Sequence, residues 1–425
     1  MGSLATYLLK KKTFLPLFLT QFFGAFNDNA FKLSMLTLIS YHLSTSQTDS
    51  EHYQALAGAL FIIPFFLFSA TAGQLADKHD KAVMTKIVKV FELILMGIGG
   101  VALYQGNILL MLLTLTGMGI HSTFFGPIKY AILPDHLPRE QLLGATALVE
   151  ASTFMAILLG TTLGALSIGT QRTHVGYAVL ITNLVASIGL IASCFIPSAP
   201  SKAKKLIVDW NILRATKGIL KDVMRNPRLS PAIFAISWFW LIGAVMLTKL
   251  PDYTHYVLGA DTPVFAVFLA LFSIGIALGA MAISYLLAGK ITLRYVPVAM
   301  LMLSFFATDL YWASPKIASD MPLLTLAQFF SKLSYLRITV DFFLFCFSGG
   351  LFVVPLYTYL QVSSDEGTRA RTIAANNIVN ALFMVIGTLI VMFLLYISVN
   401  IAAVFLVLAI LNAFAAIAMW LLLLW

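Results

Sequence analysis

Apolar runs of helix-spanning length, separated by short polar or charged stretches, recur from one end of this chain to the other. A helix of about 20 residues matches the ~30 Å hydrocarbon core of a bilayer. About twelve such segments are predicted, at 14–40, 54–76, 82–104, 108–133, 142–168, 175–197, 231–257, 262–288, 293–312, 337–361, 367–397 and 399–424. The long segment at 142–168 can tilt. The first segment breaks the apolar pattern near its centre with Asn27, Asp28, Asn29 and Lys32. An ionised side chain near the bilayer midplane costs ~2.5–3.5 kcal/mol on insertion scales, so its presence points to function. Asp28 and Lys32 share one helix face, with Gln21 two turns back on that face.

Composition agrees with the pattern. The 425 residues are 60% hydrophobic and 11% charged, whereas a soluble domain carries about 25% charged residues. The chain is therefore an all-α, polytopic membrane protein. Cys194 and Cys346 sit inside apolar runs and read as small packed hydrophobes. The net charge of +9 is not a nucleic-acid signature, because the cations collect in loops on one side, as the positive-inside bias requires. The inside set comprises the N-terminus, Asp77 to Lys89, the Arg139 loop, Lys202 to Arg228, Lys290 with Arg294, and Arg369 with Arg371. The alternate loops at 41–53 and 105–107 have no lysine or arginine, 169–174 has Arg172, and 313–336 has Lys316 and Lys332. Both termini are predicted cytoplasmic. Lys10, Lys11 and Lys12 precede a first segment too long and too polar for a cleavable signal, so it is expected to remain as the first helix.

The basic stretch 199–230 divides the chain into an N-terminal six-helix bundle at 1–198 and a C-terminal one at 231–425. Leu206, Trp210, Leu213 and Leu220 recur there at helical spacing, which fits either a basic amphipathic helix on the cytoplasmic leaflet or a solvated linker. Between the second and third segments lies Gly73-Gln74-Leu75-Ala76-Asp77-Lys78-His79-Asp80-Lys81. This resembles the Gly-x-Leu-Ala-Asp-Arg-x-Gly-Arg loop of the major facilitator superfamily, and the six-plus-six layout fits that fold. Gly73 permits close helix approach, and Asp77 can cap a neighbouring helix or pair with a cation. The resemblance implies a cytoplasmic latch, with gating by Gly73, Asp77, Lys78 and Lys81. Asp80 replaces the usual glycine, so the turn is expected to differ.

Other polar groups are embedded in apolar segments. Glu92 lies just inside Lys89, where it either pairs locally or serves the interior. Lys129 follows Pro127, which removes a helical hydrogen bond, so a cation and free carbonyls coincide unless the lysine snorkels. Glu150, flanked on its face by Thr146 and Thr153, is either functional or an ion-pair partner of Lys129 or Lys32. Gly160 and Gly164 form a Gly-x-x-x-Gly packing pair. Lys249 precedes Pro251 near the outer end of its segment. Asn376, Asn377 and Asn380 bond across helices or line a cavity. No acyltransferase His-x-x-x-x-Asp motif, Walker loop or metal-ligand cluster occurs. The sequence thus predicts neither an enzyme nor an ATP-driven pump, and no cofactor.

The stretch Gln21-Phe22-Phe23-Gly24-Ala25-Phe26-Asn27-Asp28-Asn29-Ala30-Phe31-Lys32 resembles the opening of bacterial lysophospholipid transporters. So do Phe125 to Pro134, Glu150 to Thr153 with Ala156 to Gly160, Gly349 to Leu356, and Ala374 to Ile378. The segment from Ser237-Trp238-Phe239-Trp240 to Tyr253 is similar to a subgroup in which the transporter is fused to an acyltransferase. No such domain follows Trp425, so the chain is either a standalone relative or part of a longer polypeptide. Lys249 stands where the fused relatives carry glutamine. The resemblance implies movement of lysophospholipids, chiefly lysophosphatidylethanolamine, from the outer to the inner leaflet of a bacterial inner membrane for re-acylation. An acyltransferase would be fused or a partner. Substrate contacts are then expected from Asp28, Asn29, Lys32, Lys129, Glu150, Lys249, Asn376, Asn377 and Asn380. A cation would meet the phosphate and a carboxylate the ammonium. The alternatives are a proton-coupled facilitator of a small soluble molecule and a non-transporting subunit of a lipid-remodelling enzyme. The sequence leaves energy coupling open.

Overall fold

The computed structural model describes residues 2–169, 174–315 and 322–423; Arg172, Lys316 and Trp425 lie outside the described residues. Twelve long helices carry the architecture: α1 Leu15–Leu38, α2 Gln47–Lys78, α3 Lys81–Gln105, α4 Ile108–Ala131, α5 Arg139–Ile168, α6 Val175–Cys194, α7 Ser230–Asp252, α8 Thr262–Leu286, α9 Val296–Ala313, α10 Leu333–Ser363, α11 Arg369–Tyr396 and α12 Ile401–Leu423. Eleven of them are long and apolar enough to cross a bilayer. The exception is α1, which is long enough at 24 residues but is made too polar by Gln21, Asn27, Asp28, Asn29 and Lys32. The expected all-α membrane fold is what the structure shows.

Local chemistry sets the helix ends. Ser46 accepts the Asp49 amide at 3.2 Å and starts α2 well before residue 54, so a polar turn precedes the apolar run. Asp80 caps α3 through the Ala82 amide at 2.8 Å. Gly106, with φ of 67°, ends α3 in the left-handed conformation that favours glycine. Asn107 then caps α4 through Leu110. The helix α4 runs through Pro127 to Ala131 without a break.

Backbone packing divides the chain into two compact units. The first comprises Met1–Leu229 together with Leu360–Ile378, and the second Ser230–Tyr359 with Val379–Trp425. The first unit therefore includes the end of α10 and the first turns of α11. Its apolar core joins Phe31, Met35 and Leu38 of α1 to Met96 and Leu103 of α3 and Leu115 and Met118 of α4. Gly160 and Gly164 bring α5 against α1: an added β-carbon would meet the Phe26 or Ala30 carbonyl oxygen at 2.4 Å. That pair packs helices, as its spacing suggested.

In the stretch 199–230 a helix forms only at Ile212–Met224, capped by Asn211. Its buried face is Ala215, Ile219 and Val223, set against α2, while Trp210 and Leu213 are exposed. Leu206 and Trp210 precede this helix, so the four residues of the expected stripe do not share one helix face. The i, i+4 set of smaller residues packs instead.

Candidate functional site

The first unit contains a buried charge network that begins on α1. Lys89 and Glu92, one turn apart on α3, form an ion pair with no solvent exposure. Asn27 donates to Glu92 Oε1 at 2.9 Å. His121 of α4 sits between two carboxylates, its Nε2 3.0 Å from Glu92 and its Nδ1 3.8 Å from Asp28. Ser122 donates to Asp28. The other Asp28 oxygen, Oδ1, is buried without a hydrogen-bond partner among the described residues. Two glycines make room for the lysine. A β-carbon at Gly189 would meet Lys89 Nζ at 2.9 Å, and one at Gly24 would meet it at 3.2 Å. Burying a charge without a partner costs several kcal/mol, so Glu92 is what keeps Lys89 in the interior. Of the two readings of Glu92, local pairing holds, but the pair lies deep inside the unit.

A second cluster joins α4 to α5. Glu150 is fully buried and accepts from Tyr130. Its Oε2 has no hydrogen-bond partner among the described residues. The Lys129 ammonium lies 4.7 Å from the centre of the Tyr130 ring, and that of Lys32 lies 5.7 Å from the Phe61 ring. Cation–π contact of this kind is worth ~0.5–2 kcal/mol. Among the described residues neither lysine has a carboxylate within 4.0 Å, so the ion pairs expected between Glu150 and Lys129 or Lys32 are not formed. Nor do Asp28 and Lys32 pair across their shared face, because Asp28 turns to α4. Asn29 donates to the Ala25 carbonyl at 2.8 Å, a bond within its own helix. Gln21 joins α1 to α5 through Ser152 and Thr153.

The third element is the motif loop. Asp77 accepts the Ala370 amide at 2.9 Å, the Arg371 amide at 3.2 Å and the Arg371 Nε at 2.9 Å. A carboxylate thus caps the N-terminus of α11, where unpaired amides and the helix dipole favour negative charge. Gly73 permits the approach, since a β-carbon there would meet Ala374 Cβ at 2.7 Å and Arg371 Cα at 2.9 Å. Lys81 is buried and pairs with Asp135 at 2.8 Å, which Arg369 also reaches at 3.4 Å. Lys78 is half-buried and makes no ion pair among the described residues. Asp80 takes a new role at the position where the motif has glycine. Besides capping α3 it accepts from Ser198 and from the Ala199 amide at 3.2 Å, tying the segment after α6 to the loop. Burial would raise its carboxyl pKa, but these hydroxyl and amide donors outweigh it and hold the group below the ordinary carboxylate range.

The remaining candidates are separated. Asn376 is fully buried in the first unit, and among the described residues neither atom of its amide has a hydrogen-bond partner. Asn377 lies against Gly126, where a β-carbon would meet its Nδ2 at 2.8 Å. Asn380 belongs to the second unit and accepts from Ser237 of α7 at 2.7 Å. Lys249 pairs with Asp252 on its own helix at 3.1 Å. Residue patterns did not single out His121, Ser122 or Tyr130, nor Lys89 beyond its place in a loop. A histidine in an apolar segment was the available signal for the first.

Helical bundles of membrane-spanning length, with charge buried inside and a carboxylate capping a helix end, are those of a polytopic membrane protein. The family model of the Major Facilitator Superfamily matches residues 17–387, and the chain belongs to that superfamily. Among curated relatives it is 27% identical over 361 residues to a protein of Photorhabdus laumondii named lysophospholipid transporter LplT, covering 82% of this chain and 79% of the relative. A Yersinia enterocolitica protein of the same name is 27% identical over 366 residues, covering 84% and 81%. Among solved structures, the human organic anion transporter MFSD10 matches with a TM-score of 0.75 at 15% identity, covering 97% of this chain and 99% of that one. The transporter FucP in its outward conformation matches at 0.72 and 13%, covering 96% and 98%. These structural likenesses speak to the fold alone.

Proposed function

We propose that this chain moves lysophospholipids, chiefly lysophosphatidylethanolamine, from the outer to the inner leaflet of a bacterial inner membrane by alternating access. Both termini lie in the cytoplasm. The observation that carries this reading is the surplus of both charge types inside the first unit. Among the described residues Lys32 and Lys129 have no carboxylate within 4.0 Å, while Asp28 and Glu150 each keep an oxygen without a hydrogen-bond partner. A zwitterionic head carrying phosphate and ammonium would complete both halves at once, with Lys129 or Lys32 on the phosphate and Asp28 or Glu150 on the ammonium. The names of the curated relatives support the same substrate class. Asn376, with an amide awaiting partners, is a further contact. Asn29, Lys249 and Asn380 are positioning groups on this reading, because each is already bonded. Gating falls to Gly73, Asp77 and Lys81, with release of Leu360–Ile378 from Asp77 as the step, and Lys78 assists at the surface. An acyltransferase, fused or separate, would consume the product.

The test is leaflet-resolved uptake of labelled lysophosphatidylethanolamine by liposomes holding only this protein. Wild type is expected to accumulate the label. Lys129→Gln, Asp28→Asn and Glu150→Gln are each expected to slow uptake at least about tenfold, the loss of one charge-assisted bond. Wild-type rates in all three, or no uptake by the wild type, overturn the proposal.

A further inference from the structure

A second place where charge meets apolar surface lies in the second unit. Asn412 of α12 donates to the Met300 carbonyl at 2.6 Å and to Ser304 at 2.8 Å, fixing α12 beside α9. Next to this clasp, between the two helices, is a cavity of about 400 Å³. That is within the ~300–1,000 Å³ range of small-molecule sites. Its walls are mainly Leu301, Phe305, Trp312, Ile410 and Ala413, and Asp309 stands near one end. From Leu301 to Trp312 the wall extends roughly 16 Å along α9. Phe305 and Trp312 are largely exposed, as expected for a lipid-facing surface.

The polar end of this groove is unusual. Arg337 of α10 makes a two-pronged bond to Asp309, with Nε donating to Oδ2 at 3.0 Å and Nη2 to Oδ1. Asp341, one turn further along α10, is 6% exposed. Its Oδ2 is 3.9 Å from Arg337 Nε, and its carboxyl hydrogen-bonds to that of Asp309. The two acids therefore share a proton. An ammonium that takes the place of that proton meets two carboxylates against one guanidinium, one negative charge in surplus. Lipid tails cannot compensate it, but an ammonium can. The Arg337 side chain is more than half exposed and keeps donors for a phosphate.

We propose that this groove captures one lysophosphatidylethanolamine, its ammonium on Asp309 and Asp341, its phosphate toward Arg337 and its single acyl chain between α9 and α12. The inference rests on the substrate proposed above and adds a second contact point for it. With both termini cytoplasmic, α9 runs from inside at Val296 to outside at Ala313. The charged end of the groove then lies at the outer leaflet, with the apolar part below it, the orientation of an outer-leaflet lipid.

The full chain in phosphatidylglycerol nanodiscs, given lysophosphatidylethanolamine with a photoreactive acyl chain, provides the test. Mass spectrometry is expected to place the adduct on α9 and α12 around Phe305 and Ile410. Unlabelled lysophosphatidylethanolamine should displace it at about tenfold lower concentration than lysophosphatidylglycerol. D341N should cut labelling about tenfold, and Ala413→Phe, which fills the groove without touching the acidic cluster, should abolish it. Labelling elsewhere, equal competition by lysophosphatidylglycerol, or unchanged labelling in both variants overturns the inference. Equal displacement by diacyl phosphatidylethanolamine does so too, since the groove would then hold a bilayer lipid. Uptake measured in parallel separates the two proposals. Transport without groove labelling removes only the groove, and groove labelling without transport removes only the transport function.

Discussion

Removing the Asp77 carboxylate should free the Leu360–Ile378 segment. In the structure that one side chain accepts two amides at the start of α11 and the Arg371 guanidinium, and it is completely buried. Hydrogen bonds to a charged group contribute ~1.5–3 kcal/mol each and do not add fully. Taking one partner from a buried pair costs ~3–5 kcal/mol in all. At 1.4 kcal/mol per decade, D77A should raise the released population by roughly a hundredfold to several thousandfold. Ser364 reports on this release, because it lies in the segment and is 5% exposed. In a background with Cys194→Ser and Cys346→Ala, S364C should react slowly with a membrane-impermeant maleimide applied from the cytoplasmic side. Adding D77A should accelerate the reaction by at least about a hundredfold, with D77N, which keeps an acceptor but loses the charge, falling between. An unchanged rate in a folded D77A protein would refute the latch.

Glu92→Gln should lower stability by ~3–5 kcal/mol, because Lys89 is left buried and uncompensated; the double variant K89M/E92L should recover most of the loss in thermal unfolding. Gly164→Ala places a methyl 2.4 Å from the Ala30 carbonyl oxygen, so α1 must shift, and a destabilisation of ~1–3 kcal/mol is expected. Asp80 has a depressed pKa, so its contribution is present above the unfolded carboxylate value of about 3.9 and lost as pH falls through the lower folded value. Stability measured from pH 6 down to about pH 3 should therefore fall less steeply in D80N than in wild type. Uptake unaffected by collapse of the proton gradient would exclude obligatory proton drive, leaving His121 between Glu92 and Asp28 as a structural bridge.

Much of the architecture is legible in the sequence because the bilayer imposes it. A spanning helix must satisfy its own backbone and stay apolar for about 20 residues, and such runs stand out without any tertiary information. The two Gly-x-x-x-Gly glycines and the motif aspartate were readable as to their kind of work, close helix approach and helix capping, though not as to their distant partners. Polar helix starts such as Ser46 to Ser50 were not, because hydropathy ends where the membrane does. The polar interior was legible only as a set of types. Asp28, Lys129 and Glu150 stood out by their cost in lipid, but sequence spacing put Asp28 on one face with Lys32 and left Glu150 open between a functional role and an ion pair with a lysine.

The sequence alone determined that the chain crosses a membrane many times, where its charges would be expensive, and that a stretch resembling the facilitator motif lies between the second and third segments. Only the tertiary structure decided which charge meets which. His121 joins Asp28 to Glu92, Tyr130 stands between Lys129 and Glu150, and Asp77 caps a helix nearly three hundred residues away. Burial and spanning length follow from one residue's transfer energy and its near neighbours in the chain. Pairing follows from how helices rotate and approach one another, which is fixed by the packing of glycines such as Gly24, Gly73 and Gly189 against distant elements.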